Sequence, residues 1–301
     1  MDTTTEETRR IEPSGPPRSQ NVHVYPLGFW LLSVGAFWQV LRGLASLSFQ
    51  DERSSHIVLI PLITAGLLVL HHHRIFRSVH YCSSIGVPLL LIVAILWYSL
   101  RAPISHLNHT DYLSSVAALI VLVWIAGFVL FYGTAAFQEG LFPLLFLVLM
   151  IPIPVSLGNY TVSLLQRGSA EMCDLLFRLV GVPIMRSGFR FSLPGVDIEV
   201  AEQCSGIHSA LALLIAGLLL QHFLLPGIWK KVVFVACIFP IAIFKNAVRI
   251  VTIAWLGIHV NPEFFHGQLH RQGGLPFAVL AVAVLGLLLW MLRKVPGRKD
   301  S

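Results

Sequence analysis

The chain has 301 residues, of which 55% are hydrophobic and only 12% charged. A soluble domain carries about 25% charge, so there is too little polar surface here to cover a water-exposed globule, and an apolar content this high excludes a disordered chain. The net charge of +6 is not gathered on one soluble face, so nucleic acid is not expected as a partner. Repeated apolar runs near bilayer-crossing length predict an all-α polytopic membrane protein with about eight transmembrane helices.

In chain order, residues 1–26 are polar, rich in Glu, Thr and Pro, and read as a disordered cytoplasmic tail because no apolar core is present for a signal peptide. The spans are expected at 27–47, 57–70, 85–101, 112–133, 137–158, 204–224, 232–258 and 275–292. They form a single transmembrane domain over 27–292. The second run is short and contains Pro61. Basic residues cluster at Arg9, Arg10 and Arg18, at Arg74 and Arg77, at Lys230 and Lys231, and in the basic tail 293–301. Those clusters mark the cytoplasmic side and put both termini there.

One long stretch, 159–203, does not span and is expected outside the membrane. Its first part, Val162 to Val180, mixes leucines with Gln166, Arg167, Glu171, Asp174 and Arg178, as an interfacial helix would. Its second part alternates apolar and polar residues around Pro194 and Gly195. That pattern predicts a short β-hairpin, which delivers the chain to Cys204.

Cys204 opens the sixth span at its outer end. Arg249 lies about 18 residues beyond Lys231, roughly 27 Å up a helix that starts inside, and His270 precedes the last span on the outer side. Three segments thus bring Cys204, Arg249 and His270 to one depth. The chemistry that fits is thiolate attack: a nearby cation lowers a thiol's pKa, and a histidine can take and return the proton. Arg249 would stabilise a thiolate or an oxyanion. Asn246, one turn earlier on the same face, would steady the guanidinium or a substrate carbonyl, and Glu202 adds a polar flank to the cysteine.

Other readings carry less. Of the 4 cysteines, Cys82 and Cys237 read as small buried hydrophobes, and the spacings suit neither a disulfide framework nor zinc. His259, Glu263, His266 and His270 could share a helical face, but Pro262 and Gly267 interrupt it and the HExxH pattern is missing. No metal is therefore expected. The His71-His72-His73 run reads as an interfacial cluster.

The stretch Val200–Ser209 (VAEQCSGIHS), then Asn246–Ile250 (NAVRI), then Gly267–Gly274 (GQLHRQGG) strongly resembles the exosortase/archaeosortase family. Ser55–Pro61 and Phe142–Pro154 look like earlier signatures of that family, and the likeness covers roughly residues 30–292. It implies a membrane cysteine transpeptidase of sortase-like logic in a prokaryotic cytoplasmic membrane, with Cys204 as nucleophile and Arg249 and His270 completing the site. Substrates would be membrane-anchored proteins with a carboxy-terminal signal, namely a short motif often containing Pro-Glu-Pro, a membrane helix and a basic tail. Cleavage outside the membrane would pass them, through a thioester, to an unknown acceptor nucleophile. No cofactor is implied. Where the family's commoner form has Arg, this chain has His208, which shares a helix face with Cys204 and is a second candidate for the acid/base role. A transporter, or a non-catalytic subunit of an exopolysaccharide assembly system, is the alternative. A transporter would need ionisable residues along a path through the membrane, where only Arg42 and Lys245 stand.

Overall fold

Two long helices organise the chain because both are apolar around most of their circumference and so demand neighbours on several sides. The computed structural model describes residues 24–77, 79–193, 196–200, 206–261 and 274–295. Cys204, Glu202 and His270 lie outside these described residues, as does the expected tail up to residue 23. Helix α1 (Val24–Ala36) already begins within the stretch read as tail.

The first axis is α6 (His109–Glu139), 31 residues long. Its start is set by Asn108, whose side-chain oxygen accepts the Asp111 N–H at 2.8 Å, satisfying an amide the helix cannot pair itself. Around α6 pack α1, α2 (Trp38–Gln50), the short α4 (His72–Ile75), α5 (Ser83–Ser105) and α7 (Leu141–Phe146), with α3 (Leu59–Leu70) packed on α7. Val116, Ile120 and Phe128 are fully enclosed there. The second axis is α10 (Ile228–His259), 32 residues with Pro240 inside. Around it pack α8 (Val155–Val180), α9 (Ile207–Leu224) and α11 (Gly274–Lys294). Helix α9 also joins the halves, since Ile215, Leu218 and Leu219 pack against the α6 cluster while Leu213 packs against α10 and α11.

By length and composition, 5 helices among the described residues can cross a membrane, or up to 7 if each bent pair counts as one span. The protein is a multi-pass membrane protein, and among the described residues the expected count of about eight spans is reached only in part. The run 27–47 is broken between α1 and α2, which meet at 72°. The run 137–158 is cut into the end of α6, α7 with a 3-10 turn, and the start of α8, with a 92° bend. Gly140 ends α6, and Pro152 and Pro154, which cannot donate a backbone hydrogen bond, stand at the bend. Helix α3 has 12 residues, about 18 Å, well short of a bilayer core of about 30 Å.

The expected hairpin is present and has a partner strand. Strands β1 (Met185–Ser187), β2 (Arg190–Leu193) and β3 (Val196–Glu199) form an antiparallel sheet in that order, with Leu193 opposite Val196 and Arg190 opposite Glu199. Phe191 is fully buried and meets Phe177 of α8 at 5.7 Å between ring centroids. Arg186 of β1 clamps Glu171 of α8 through two bonds of 2.7 and 3.0 Å.

Between membrane helices lipid is as apolar as leucine, so close approach and packing rather than burial hold them together. At the α5–α6 contact a Cβ on Gly86 would stand 2.5 Å from the Cα and Cβ of Leu130. Gly86→Ala is therefore expected to destabilise the protein by about 1–3 kcal/mol, read as a lower unfolding midpoint in detergent. Gly66→Ala on α3, where nothing lies within 4 Å of the added atom, should leave stability unchanged or raise it slightly.

Candidate active site

Two anchored points, Val200 and Gly206, stand on either side of positions 201–205. On the near side Val200 is buried; its N–H donates to the Phe189 carbonyl at 3.0 Å, and its own carbonyl accepts from Nε2 of the buried Gln166 on α8. On the far side Gly206 caps α9 in the left-handed region, at φ 75°. Few side chains tolerate that conformation, and a Cβ here would stand in ordinary contact with the Asn246 side chain at 3.4 Å and Ser209 Oγ at 3.5 Å.

A relay of polar groups holds this end. Lys245 Nζ donates to Ser209 Oγ at 2.6 Å, and Ser209 Oγ donates to the Gly206 carbonyl at 2.8 Å. Asn246 Nδ2 donates to Ser169 Oγ of α8 at 3.0 Å. Lys245, Asn246 and Ser169 are all buried. A polar group in such surroundings is costly unless bonded, so each fixes the orientation of the next. Helices α8, α9 and α10 thus meet at one polar junction, with Arg249 half-buried one turn further along α10 and on the face of Lys245 and Asn246.

A fourth segment closes the side. Ser55 Oγ lies 3.3 Å from Nδ1 of His208, and the His56 ring lies against the Leu149 backbone and beside His208. Close by, Asp51, Arg53, Ser54, Thr110 and Ile207 line a cleft of about 180 Å³. Among the expected residues, Asn246 is thus brought beside Gly206 and His208 beside Ser55 and His56. Cys204, Glu202 and His270 lie outside the described residues. The sequence reading missed Gln166, Ser169 and Ser209 as partners, and it noted Lys245 only as an ionisable group within a span, which is by itself a functional signal. Among the described residues no cluster of three or more His, Cys, Asp and Glu is able to hold a metal ion.

The family model for transmembrane exosortases matches residues 38–290, which takes in every helix of this junction and most of the chain. The chain belongs to the transmembrane exosortase family. No curated protein and no solved structure matches it. The matched range includes Ser55 and His56 as well as Asn246 and Arg249.

His56 stands in the turn before α3, outside the spanning helices. Burial holds its imidazole below the ordinary value of 6.5, the Leu149 backbone opposes this in part, and His208 adds to the lowering. The folded form therefore takes up this proton less readily than the unfolded chain. Its contribution to stability is full above about pH 6.5 and declines as the pH falls below that, toward the lowered folded value. The thermal unfolding midpoint in detergent is expected to fall as the pH drops from about 7.5 to about 5. In His56→Gln the decline should be shallower; an equally steep one would assign it to other groups.

Proposed function

We propose that the protein is a membrane-embedded cysteine transpeptidase that cleaves the carboxy-terminal sorting signals of exported, membrane-anchored proteins. The observation that carries this reading is the placement of Asn246 beside Gly206, 3.4 Å from where a Cβ would stand, because it brings the end of the Cys204 motif to the helix that bears Arg249. Two peptide units separate Cys204 from Gly206 and span at most about 8 Å. The nucleophile would then work within reach of Asn246 and Arg249.

In this mechanism the Cys204 thiol gives its proton to His270, with His208 as the second candidate, and the thiolate attacks the scissile carbonyl carbon. Arg249 and amides at the start of α9 stabilise the oxyanion. Collapse breaks the C–N bond, the histidine returns the proton to the leaving amine, and a thioester remains on Cys204. An acceptor nucleophile attacks the thioester and regenerates the thiol. The cleft beside Ile207, with Asp51 and Arg53 on its wall, suits the substrate motif, while Glu202 would flank the nucleophile. Helix α8, polar on one side and bent away from α7, would lie at the outer interface of a prokaryotic cytoplasmic membrane, and both termini would be cytoplasmic.

A tagged substrate ending in a sorting signal tests this in cells. Cys204→Ala should leave the full-length precursor in the membrane, cutting processing by at least about a thousandfold, whereas Cys237→Ala should process normally. Continued processing in Cys204→Ala would overturn the assignment in favour of a transporter or a non-catalytic assembly subunit. Arg249→Lys is expected to lose about a hundredfold with the protein still in the membrane.

Lys245→Met keeps length and apolar bulk but breaks the link to Ser209 and Gly206. Its expected effect is a loss of about ten- to a hundredfold in kcat, with KM little changed and wild-type amounts of folded protein. Wild-type processing would show that the relay does not position the nucleophile segment.

A further inference from the structure

A histidine pair joins the turn before α3 to the start of α9, and another joins the end of α3 to the end of α9. His56 and His208 stand at the active-site end. At the other end, about 14 residues or roughly 21 Å further along α9, His71 and His222 meet with ring centroids 5.5 Å apart. Between these rings opens a second cavity, of about 360 Å³, lined by His71, Arg74, Glu139, Pro143, His222 and Phe223. That volume lies within the range of small-molecule sites.

Its walls are held in place. The His222 ring stacks on Phe142 at 3.7 Å and 5°, and the His71 ring lies nearly parallel to Phe223. His71 Nδ1 is 3.0 Å from the Leu67 carbonyl. A carbonyl only accepts, so Nδ1 carries the hydrogen and Nε2 is the ring's remaining polar atom. Arg74 and Glu139 face the same cavity with opposite charges, yet neither makes an ion pair with another described residue. Lys231 stands close enough to His222 to act on it electrostatically, adding a second cation beside the cavity.

A simple anion would satisfy Arg74 and leave Glu139 facing it. A cation would do the reverse. A ligand with both signs satisfies the whole wall. Apolar side chains flank the opening, with Leu70, Leu141 and Phe223 exposed beside it, which suits a ligand with acyl chains rather than a free phosphate ester. The cavity lies at the end of the bundle where Arg74, Arg77, Lys230 and Lys231 gather. Charged cavities between helices at that face are where phospholipid headgroups bind.

We propose that this cavity binds the headgroup of a zwitterionic phospholipid with a primary amine, its phosphate held by Arg74 and its ammonium by Glu139. The ammonium N–H groups donate to the carboxylate, and the phosphate accepts from the guanidinium. The site is separate from the polar junction at Gly206 and does not depend on the catalytic reading.

The test is native mass spectrometry of the purified full-length protein, offered phosphatidylethanolamine, phosphatidylglycerol, phosphatidylcholine or inorganic phosphate in detergent. The wild type should retain phosphatidylethanolamine at least about tenfold better than the other two lipids. Phosphatidylcholine fills the same volume, but its quaternary ammonium has no hydrogen to donate. Arg74→Gln should lower retention of every phospholipid, and Glu139→Gln should remove the preference for the primary amine while leaving phosphatidylglycerol binding intact. Both side chains are exposed, and an unchanged elution profile would confirm folded variants. Equal retention of the three lipids by the wild type, or variants that bind like it, would overturn the proposal. So would inorganic phosphate displacing the lipid at equal concentration, since the site would then recognise phosphate alone.

Discussion

The structure depends on two fixed points, one at either end of the segment 201–205. Val200, where the sheet ends, is held by Gln166, and Gly206, where α9 begins, is held by the Lys245–Ser209 relay beside Asn246. Fixing two such points is costly in conformational entropy, and the buried hydrogen bonds at each of them offset that cost. A misplacement of about 1 Å is enough to slow a reaction a hundredfold, so rigid supports of this kind suit a reactive site.

The same logic accounts for the surrounding helices. The sheet carries the chain to Val200 and is fastened to α8 by Phe191 on Phe177 and by Arg186 on Glu171. Helix α8 supplies Gln166 to one anchor and Ser169 to the other, on one face of the helix at a spacing of three. A single rigid helix therefore sets the distance between the two ends of the segment. The bend between α7 and α8 turns that helix out of the direction of its predecessor, so that it lies along the junction instead of passing it by.

Much of this was legible in the sequence. Apolar runs located α5, α6, α9, α10 and α11 because hydropathy is a property of composition, and alternation around Pro194 and Gly195 announced β2 and β3. The bends were not, because a broken helix has the same hydropathy as a straight one; only Gly140, Pro152 and Pro154 hinted at the second break. Strand β1 has 3 residues, too few for a period to emerge. The likeness in three motifs pointed to Asn246 and Arg249, and depth along the helices put them near the start of α9. The pairing of Lys245 with Ser209 could not be read, since it depends on how α9 and α10 are rotated about their axes, and rotation is set by packing between residues far apart in the chain.

Pro240 bears on the mechanics of α10. It has no N–H, so the carbonyl of Ala236 lacks its partner one turn on, and the ring crowds that turn. The helix is most compliant there. Below that point it is braced by α11 through Phe234 and Ile238, and above it come Lys245, Asn246 and Arg249. Asn246 stands about 9 Å beyond the proline, so a flexure of about ten degrees would swing it by about 1.5 Å. The lower half of α10 is thus braced by α11 and the upper half by α8, against which Ala247, Val251 and Ala254 are buried, so any flexure at the proline would be shared between two separately packed halves with Asn246 on the upper one.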